Sequence, residues 1–295
     1  MNKLALSLFA GAAICASVFA LEKPYVWENL TSDDFKAAVS NSQGVVVVPI
    51  GCVEMHNHHL PVGTDYFAAN DIARKALSEE SAVMFTFGLF GAVREARHQP
   101  GTVALSSNTL KAMMEDLCDE FARNGLTDII FWNDHGGNVE FMREFVRSRL
   151  EKPHPYRVYF RNDGFLGSQY KDLYSKFTIP KEWGHACIME TSLMLALRPE
   201  LVYMDRINRE ESTPLDRFKS LRQQKVETSF DWYSTAPYQA YGDPSGATKE
   251  LGEWEFRTSV SNLVQTIRLV KENQSLAARL QREFEQGAKQ GANVK

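Results

Sequence analysis

The sequence contains little cysteine, and this excludes a fold that depends on a network of disulfides. Only 4 of the 295 residues are cysteine. Cys15 lies in the N-terminal segment considered below, and the remaining three, Cys52, Cys118 and Cys187, cannot all pair within one chain. Cys52 and Cys187 lie beside the site motifs described below, where they either line the pocket or are buried bystanders; we expect buried bystanders.

The sequence also lacks an excess of charge of either sign. Its 33 Lys and Arg residues nearly balance its 37 Asp and Glu residues, which gives a formal net charge of -4 without any block of like charges. Proteins that bind nucleic acid or a membrane surface usually carry a basic patch or tail. The charge balance therefore argues against both partners and favours a small-molecule substrate.

Long apolar runs are absent except near the N-terminus, where Lys3 precedes an apolar stretch from Leu4 to Val18. The stretch ends in small residues and predicts a secretory signal peptide at residues 1–20, cleaved after Ala20. A membrane anchor is the rival interpretation, but the run is short for a membrane span. We expect an exported protein, periplasmic or secreted, with no membrane attachment after cleavage and one catalytic domain at residues 21–295.

Predicted strands and helices alternate along this domain, and no internal repeat interrupts them. Val45 to Ile50 is a continuous apolar run, typical of a strand that is buried on both faces of a parallel sheet. Other strands are predicted at 82–90, 127–132 and 156–160, and helices at 65–80, 109–122 with Asn108 as N-cap, 139–150 and 186–197. Residues 204–243 are expected to form loops around the site, and 253–286 one or two closing helices. This order predicts an α/β fold with a mostly parallel sheet covered on both sides.

The densest group of potential metal ligands follows the first buried strand. Two acids and three imidazoles lie between Gly51 and Asp65. Glu54 and His56 are two residues apart, so an extended segment places both side chains on one side, and a turn at 61–63 can return Asp65 towards them. Imidazole and carboxylate are common ligands of zinc, manganese and iron, and a bridging acid is typical of dinuclear hydrolytic centres.

Two further histidines lie in short motifs later in the chain. His135 begins a His-Gly-Gly-Asn turn directly after a predicted strand, where the glycines allow the backbone to approach a ligand. His185 and Glu190 lie near the start of a predicted helix. Glu190 either ligates a metal or caps and charges the first helical turn. Ligand sites of parallel sheets lie at the carboxyl ends of the strands, so we expect these motifs to converge.

Four motifs, in this order, resemble the creatininase (creatinine amidohydrolase) family. They are Glu-x-His-x-x-His-Leu-Pro-x-Gly-x-Asp at 54–65, His-Gly-Gly-Asn at 135–138, His-Ala-x-x-x-Glu-Thr-Ser at 185–192 and Gly-Asp-Pro-x-x-Ala-Thr at 242–248. The resemblance implies a three-layer α/β/α sandwich, two divalent metal ions per subunit (zinc or manganese), and often a hexamer. It also implies hydrolysis of a C–N bond in a cyclic or linear amide by water activated between the two metals.

The resemblance assigns roles to individual residues. In the family pattern Glu54 and His135 bind one metal, His56 binds the other and Asp65 bridges them. Creatininase proper resembles His-Tyr-Glu-Asn at 135–138, and its glutamate is missing from this chain. We therefore predict that Glu190 is the substitute ligand of the second metal. His185 matches the histidine that is proposed as the proton shuttle in the family.

The loops that meet the substrate in the family depart from the family pattern, so the sequence does not identify creatinine as the substrate. Asn57 and His58 replace the usual Gly-Pro, and the loop at 94–102 has altered spacing. The family's tryptophan is displaced to Trp183. We predict that His98 and Trp183 contact the substrate.

Two alternatives to amide hydrolysis of a small molecule remain open. The missing glutamate is compatible with an exported metal- or ligand-binding protein that kept the fold without turnover. A deformylase or peptidase is the second alternative, because members of the family show such activities. A panel of cyclic amides, N-formyl compounds and short peptides separates these functions.

Overall fold

The computed structural model describes residues 21–180 and 183–291, so the predicted signal peptide lies outside the described residues. Their strands form one parallel sheet in the spatial order β1-β3-β2-β4-β5. The strands are β1 (Tyr25–Val26), β2 (Val45–Ile50), β3 (Val83–Met84), β4 (Asp128–Asn133) and β5 (Arg157–Asn162). The helices are α1 (Ser32–Asn41), α2 (Thr64–Glu79), α3 (Ser107–Arg123), α4 (Asn138–Ser148), α5 (Gly167–Lys176), α6 (Ile188–Leu197), α7 (Lys219–Gln223), α8 (Asp231–Thr235) and α9 (Lys249–Gly291).

Both faces of the central strands are covered, which explains their unbroken apolar sequences. Alternate residues of β2 and β4, such as Val46 and Phe131, pack with α3 and α4 on one face. The intervening residues, such as Val47 and Trp132, pack with α2 and α9 on the other face. This arrangement confirms the three-layer α/β/α fold and its parallel central sheet.

The structure corrects several predicted boundaries. The strand predicted at 82–90 is regular only at Val83–Met84. Beyond it the pairing becomes irregular, with single backbone hydrogen bonds from Phe85 to Val47 and from Gly51 to Gly88. Helix α3 is capped by Ser106 rather than Asn108, because the hydroxyl of Ser106 accepts a hydrogen bond from the amide of Thr109.

Other differences concern the second half of the chain. Helix α6 begins at Ile188 instead of Ala186, because Ala186 has a φ of 51°, which is incompatible with a right-handed helix. The region 204–243 contains the short helices α7 and α8 as well as loops. Residues 253–286 belong to one helix, α9, which runs for 43 residues. The sequence patterns did not predict β1, α1 or α5.

Within the described part of the chain, no helix is both long and apolar enough to cross a membrane. The cysteines at 52, 118 and 187 are buried and free, in agreement with the expectation that they do not form a disulfide scaffold.

Helices α6 and α9 approach each other closely at Gly252. A Cβ atom built on Gly252 would lie 1.8 Å from the carbonyl oxygen of Ser192 in α6. The obstruction is backbone, which cannot rotate away as a side chain would. This contact fixes α9 against α6, the helix that carries Glu190.

We therefore predict that Gly252→Ala destabilises the protein, although alanine usually stabilises a helix. The added methyl group must push α6 and α9 apart, at a cost of about 1–3 kcal/mol in the free energy of unfolding, measured with denaturant. Gly287→Ala, on the same helix but with open space around its Cβ position, is the matched control. It should raise the stability by up to about 1 kcal/mol. Equal effects of the two substitutions would contradict the close-packing argument.

Candidate active site

The predicted site residues meet at the carboxyl end of the sheet. The segment that carries Glu54 and His56 follows β2, and His135 follows the neighbouring strand β4. The first turn of α2 contributes Asp65. A Cβ atom on Gly51 would lie 2.5 Å from the backbone carbonyl carbon of Asp65, so glycine is required where β2 ends against the start of α2.

Asp65 occupies the centre of the site. Its Oδ1 lies 2.9 Å from His56 Nε2, and its Oδ2 lies 2.9 Å from His135 Nδ1. The carboxylate is buried, as are both imidazoles. Each oxygen of one carboxylate therefore faces a different histidine, which is the geometry of a bridging ligand.

His135 faces two carboxylates with one nitrogen. Its Nδ1 lies 2.9 Å from Glu54 Oε1 as well as 2.9 Å from Asp65 Oδ2. A single N–H can serve only one of these oxygens well, and Glu54 Oε1 is buried without a well-aligned hydrogen bond. On its other side, His135 Nε2 lies 3.1 Å from the carbonyl oxygen of Ala92, which orients the ring. A cation would satisfy the oxygens of Glu54 and Asp65 that crowd His135 Nδ1. The hydrogen bond of His135 Nε2 with Ala92 would remain.

We call Glu54, His56, Asp65 and His135 the cluster. Its electrostatics favour charged side chains although these side chains are buried. Burial opposes ionisation of Asp65, but the charge of His56 and hydrogen bonds from His135 and His56 hold its pKa well below the usual range. Burial likewise opposes protonation of His56, yet the adjacent Asp65 raises the pKa of His56 to about 10. In the protein without metal, protons on the histidines thus balance the acids.

Glu190, at the first turn of α6, lies on the His56 side of the cluster. Its Oε2 is 3.8 Å from His56 Nε2 and also accepts a hydrogen bond from the backbone amide of Ala186. Burial raises the pKa of Glu190 although His185 and His56 oppose this effect. The side chain therefore places an acid in the first turn of α6 and holds the turn before that helix, while it also faces the cluster.

His185 lies above the cluster rather than within it. Its Nε2 is 2.9 Å from the carbonyl oxygen of Met55, while its Nδ1 is 3.9 Å from Glu54 Oε1. An N–H on Nε2 satisfies that carbonyl and leaves the lone pair of Nδ1 towards the site. The ring lies 4.1 Å from the ring of His56, and the indole of Trp232 meets it edge-on at 5.8 Å.

Cys52 approaches the cluster more closely than the sequence suggested. Its Sγ donates a hydrogen bond of 3.2 Å to Asp65 Oδ2. Burial and the negative charge of Asp65 raise the pKa of this thiol well above its usual value, so the group is a neutral donor. Only its position directly after β2 could have indicated this contact from the sequence.

The other histidines of the chain lie outside the cluster. His58 pairs with Glu211 at 2.8 Å near the surface, and buried His59 lies 2.8 Å from the hydroxyl of Thr191. His98, predicted to contact substrate, is 2.6 Å from the carbonyl oxygen of Pro237 and packs edge-on against Tyr233. It is not among the residues that line the cavity over the cluster.

A cavity of about 540 Å³ opens above the cluster. Glu54, His135, His185 and Glu190 form its floor, and Trp232 lies in its wall. We call it the catalytic cavity. Trp183, the other predicted substrate contact, lines a smaller neighbouring cavity instead. The volume suits a small molecule or the end of a peptide.

The donor atoms fit divalent cations. Among the described residues, three sets of side chains each bring ligand atoms within 4.8 Å of one another. These sets are Cys52, Glu54, Asp65 and His135; Glu54, His56 and His185; and His56, Asp65 and Glu190. Asp65 belongs to the first and the third set, one on each side of its carboxylate.

Comparisons with known proteins point to one family. The model of the family described as "Creatininase: Creatinine amidohydrolase" matches residues 28–267. Creatinine amidohydrolase of Pseudomonas putida is 25% identical over 195 residues, which are 60% of this chain and 74% of the relative. Mycofactocin precursor peptide peptidase of Mycobacterium ulcerans is 27% identical over 237 residues, or 75% of this chain and 84% of the relative.

Solved structures show the same fold. An Mn creatininase superposes with a TM-score of 0.68 at 23% identity, covering 83% of this chain and 98% of the other. A variant creatininase of Zn-Zn type gives a TM-score of 0.68 at 23% identity, covering 84% and 98%. The family model spans most of the chain and includes every predicted site residue, so the protein belongs to the creatininase family of hydrolases.

Proposed function

We propose that this protein hydrolyses a C–N amide bond of a small molecule with two divalent cations, zinc or manganese, bound at the cluster. The observation that carries the proposal is the position of Asp65, whose two carboxylate oxygens face His56 and His135 separately. A buried acid between two imidazoles is a suitable bridge between two cations. The names of the related proteins, an amidohydrolase and a peptide peptidase, support cleavage of a C–N bond.

Each cation would have its own ligands beside the bridge. Glu54 and His135 would hold the first, with Cys52 donating to the bridging carboxylate rather than ligating as a thiolate. His56 and Glu190 would hold the second. Glu190 would thus replace the glutamate that creatininase proper has at the position of Gly137.

Bound cations of this kind acidify water and polarise a carbonyl oxygen. The residues of the chain supply the remaining chemistry. His185 Nδ1 faces the cluster, so it can accept a proton there and deliver it to the departing nitrogen. The carbonyl of Met55 keeps the imidazole in the required tautomer. Trp232 packs edge-on against the ring and limits its rotation.

The substrate class is an amide that the catalytic cavity can enclose. Cyclic amides, N-formyl compounds and short peptides all present such a bond, and a hydrolysis panel of these compounds identifies the class. A protein that binds metal but turns over none of them would instead be a binding protein of the same fold. Gly137 is the feature that favours this second candidate, because it brings no ligand to the second cation.

We further propose export to the periplasm or the medium, on the pattern of residues 1–20, and assembly as a homo-oligomer. Mass determination of the mature protein measures both the cleavage site and the oligomeric state.

The metal content of the protein tests whether Asp65 bridges two cations. The protein without the signal peptide should contain about two transition-metal ions per chain, and Asp65→Asn should lower this sharply because the bridge loses its charge. Elemental analysis measures both. Asp116→Asn, an exposed substitution on α3, is the control and should leave the content unchanged. One ion or none in the native protein would refute the dinuclear centre.

Substitution of His185 distinguishes a proton shuttle from a metal ligand. His185→Ala should retain both ions but lose about 10²-fold or more in kcat towards the best amide, because the proton donor is gone. His58→Ala, which removes a surface imidazole, should have native activity. Full activity of His185→Ala would reject the shuttle, and loss of an ion would make His185 a ligand.

Metal binding should release protons from His56 and His135. The raised pKa values of His56, to about 10, and of His135 mean that both rings are protonated at neutral pH in the metal-free protein. Metal must displace these protons, so its affinity should fall as the pH is lowered. Calorimetric titration of the metal-free protein in buffers of different ionisation enthalpy measures the release. A binding enthalpy that is the same in all buffers would contradict it, and His58→Ala should behave like the native protein.

A further inference from the structure

A second, smaller cavity adjoins the catalytic cavity and is lined by carboxylates. Its volume is about 180 Å³, and it shares His135 and Glu190 with the catalytic cavity. Asp134, Asp163 and Glu255 lie in its wall. We call it the acidic cavity. None of its described lining residues is a lysine or arginine.

The carboxylates of the acidic cavity are incompletely satisfied by the protein. Glu255 Oε2 is buried, with less than 1 Å² exposed, and has no hydrogen-bond partner. Asp163, by contrast, accepts hydrogen bonds from the hydroxyl of Ser259 and the amide of Gly164. Burial and repulsion from Asp163 and Glu190 raise the pKa of Glu255 well above its usual value. An orphan carboxylate oxygen in a cavity is expensive unless a donor or a cation enters.

Arg161, on β5, does not neutralise these acids. It favours the charged form of Asp163, as the last of the causes that act on that carboxyl. Its guanidinium donates a long hydrogen bond, 3.5 Å, to the carbonyl oxygen of Gly164. Its Nε is buried without a hydrogen-bond partner, and none of the ion pairs of the described residues joins it to Asp134, Asp163 or Glu255.

The spacing of the acids favours an organic cation over a metal ion. Among the described residues, the sets whose ligand atoms lie within 4.8 Å of one another include none of Asp134, Asp163 and Glu255. A bare ion needs ligands that converge on one point. A guanidinium or an ammonium on a short chain spans a wider site and has several N–H donors. The volume corresponds to about six water molecules, enough for such a group.

Aromatic side chains complete the cavity. Trp183, Phe165 and Tyr170 line it together with the acids. Aromatic faces attract ammonium and guanidinium groups and also exclude water around them. This combination distinguishes the cavity from a solvated acidic patch.

We propose that the acidic cavity binds a cationic group of the substrate, a guanidinium or a primary ammonium, while the scissile amide lies at the metal cluster. The inference rests on the proposed function, whose substrate class it narrows to cationic amides. Glu190 lies between the two cavities, so the amide and the cationic group would be separated by only a short chain.

The test uses two probes of the same shape, the cation ethylguanidinium and neutral ethylurea. Calorimetric titration of the metal-loaded native protein should show at least tenfold tighter binding of ethylguanidinium. Glu255→Gln should weaken its binding by about 10-fold to 100-fold, as expected for loss of a hydrogen bond to a charged group, and leave ethylurea unchanged. Equal affinity of the native protein for both probes would overturn the proposal without any variant.

The control variant is Glu250→Gln, which removes an exposed acid from the same helix. It should bind ethylguanidinium as the native protein does, and native binding by Glu255→Gln would refute the assignment. Metal content must be the same in both variants, which separates this result from damage to the metal cluster. Selective binding with no turnover of any amide would leave the cation site standing and reject the proposed hydrolysis. Turnover of neutral amides without selective binding of ethylguanidinium would support the proposed hydrolysis and reject the cation site.

Discussion

The site depends on one buried carboxylate shared by two imidazoles. Asp65 faces His56 with one oxygen and His135 with the other, and both contacts are 2.9 Å long. Burying such a charge without compensation would be strongly destabilising. The protein compensates Asp65 with groups that can carry either protons or metal ions, so the residues that stabilise the interior are also those suited to catalysis.

The fold brings these groups together through two close approaches. Parallel pairing of β2 with β4 sets the segment after Ile50 beside the segment after Asn133. Gly51 then lets the start of α2 lie against the end of β2, which places Asp65 between the two segments. A larger residue at position 51 would displace the carboxylate of Asp65, because the nearest atoms that it would meet belong to the backbone of Asp65.

Acidic side chains continue beyond the Asp65 cluster into the smaller cavity. Burial raises the pKa of Asp134, Asp163 and Glu255, and repulsion between acids adds to this effect at Asp134 and Glu255. A cationic group in this cavity would relieve the repulsion and favour the ionised carboxylates.

The sequence by itself determined the layered fold and most of the cluster. The apolar runs at Val45–Ile50 and 129–132 are typical of strands covered on both faces, and the histidine motifs follow these strands. Tertiary structure decided the remainder. The orphan oxygen of Glu255 belongs to a residue near the start of the long helix α9, with no motif around it. The contact of Cys52 with Asp65 and the closure of α9 on α6 at Gly252 likewise depend on distances between distant segments. The periodicity of apolar residues indicates which face of a helix or strand is buried. It does not indicate which atoms of another element pack against that face.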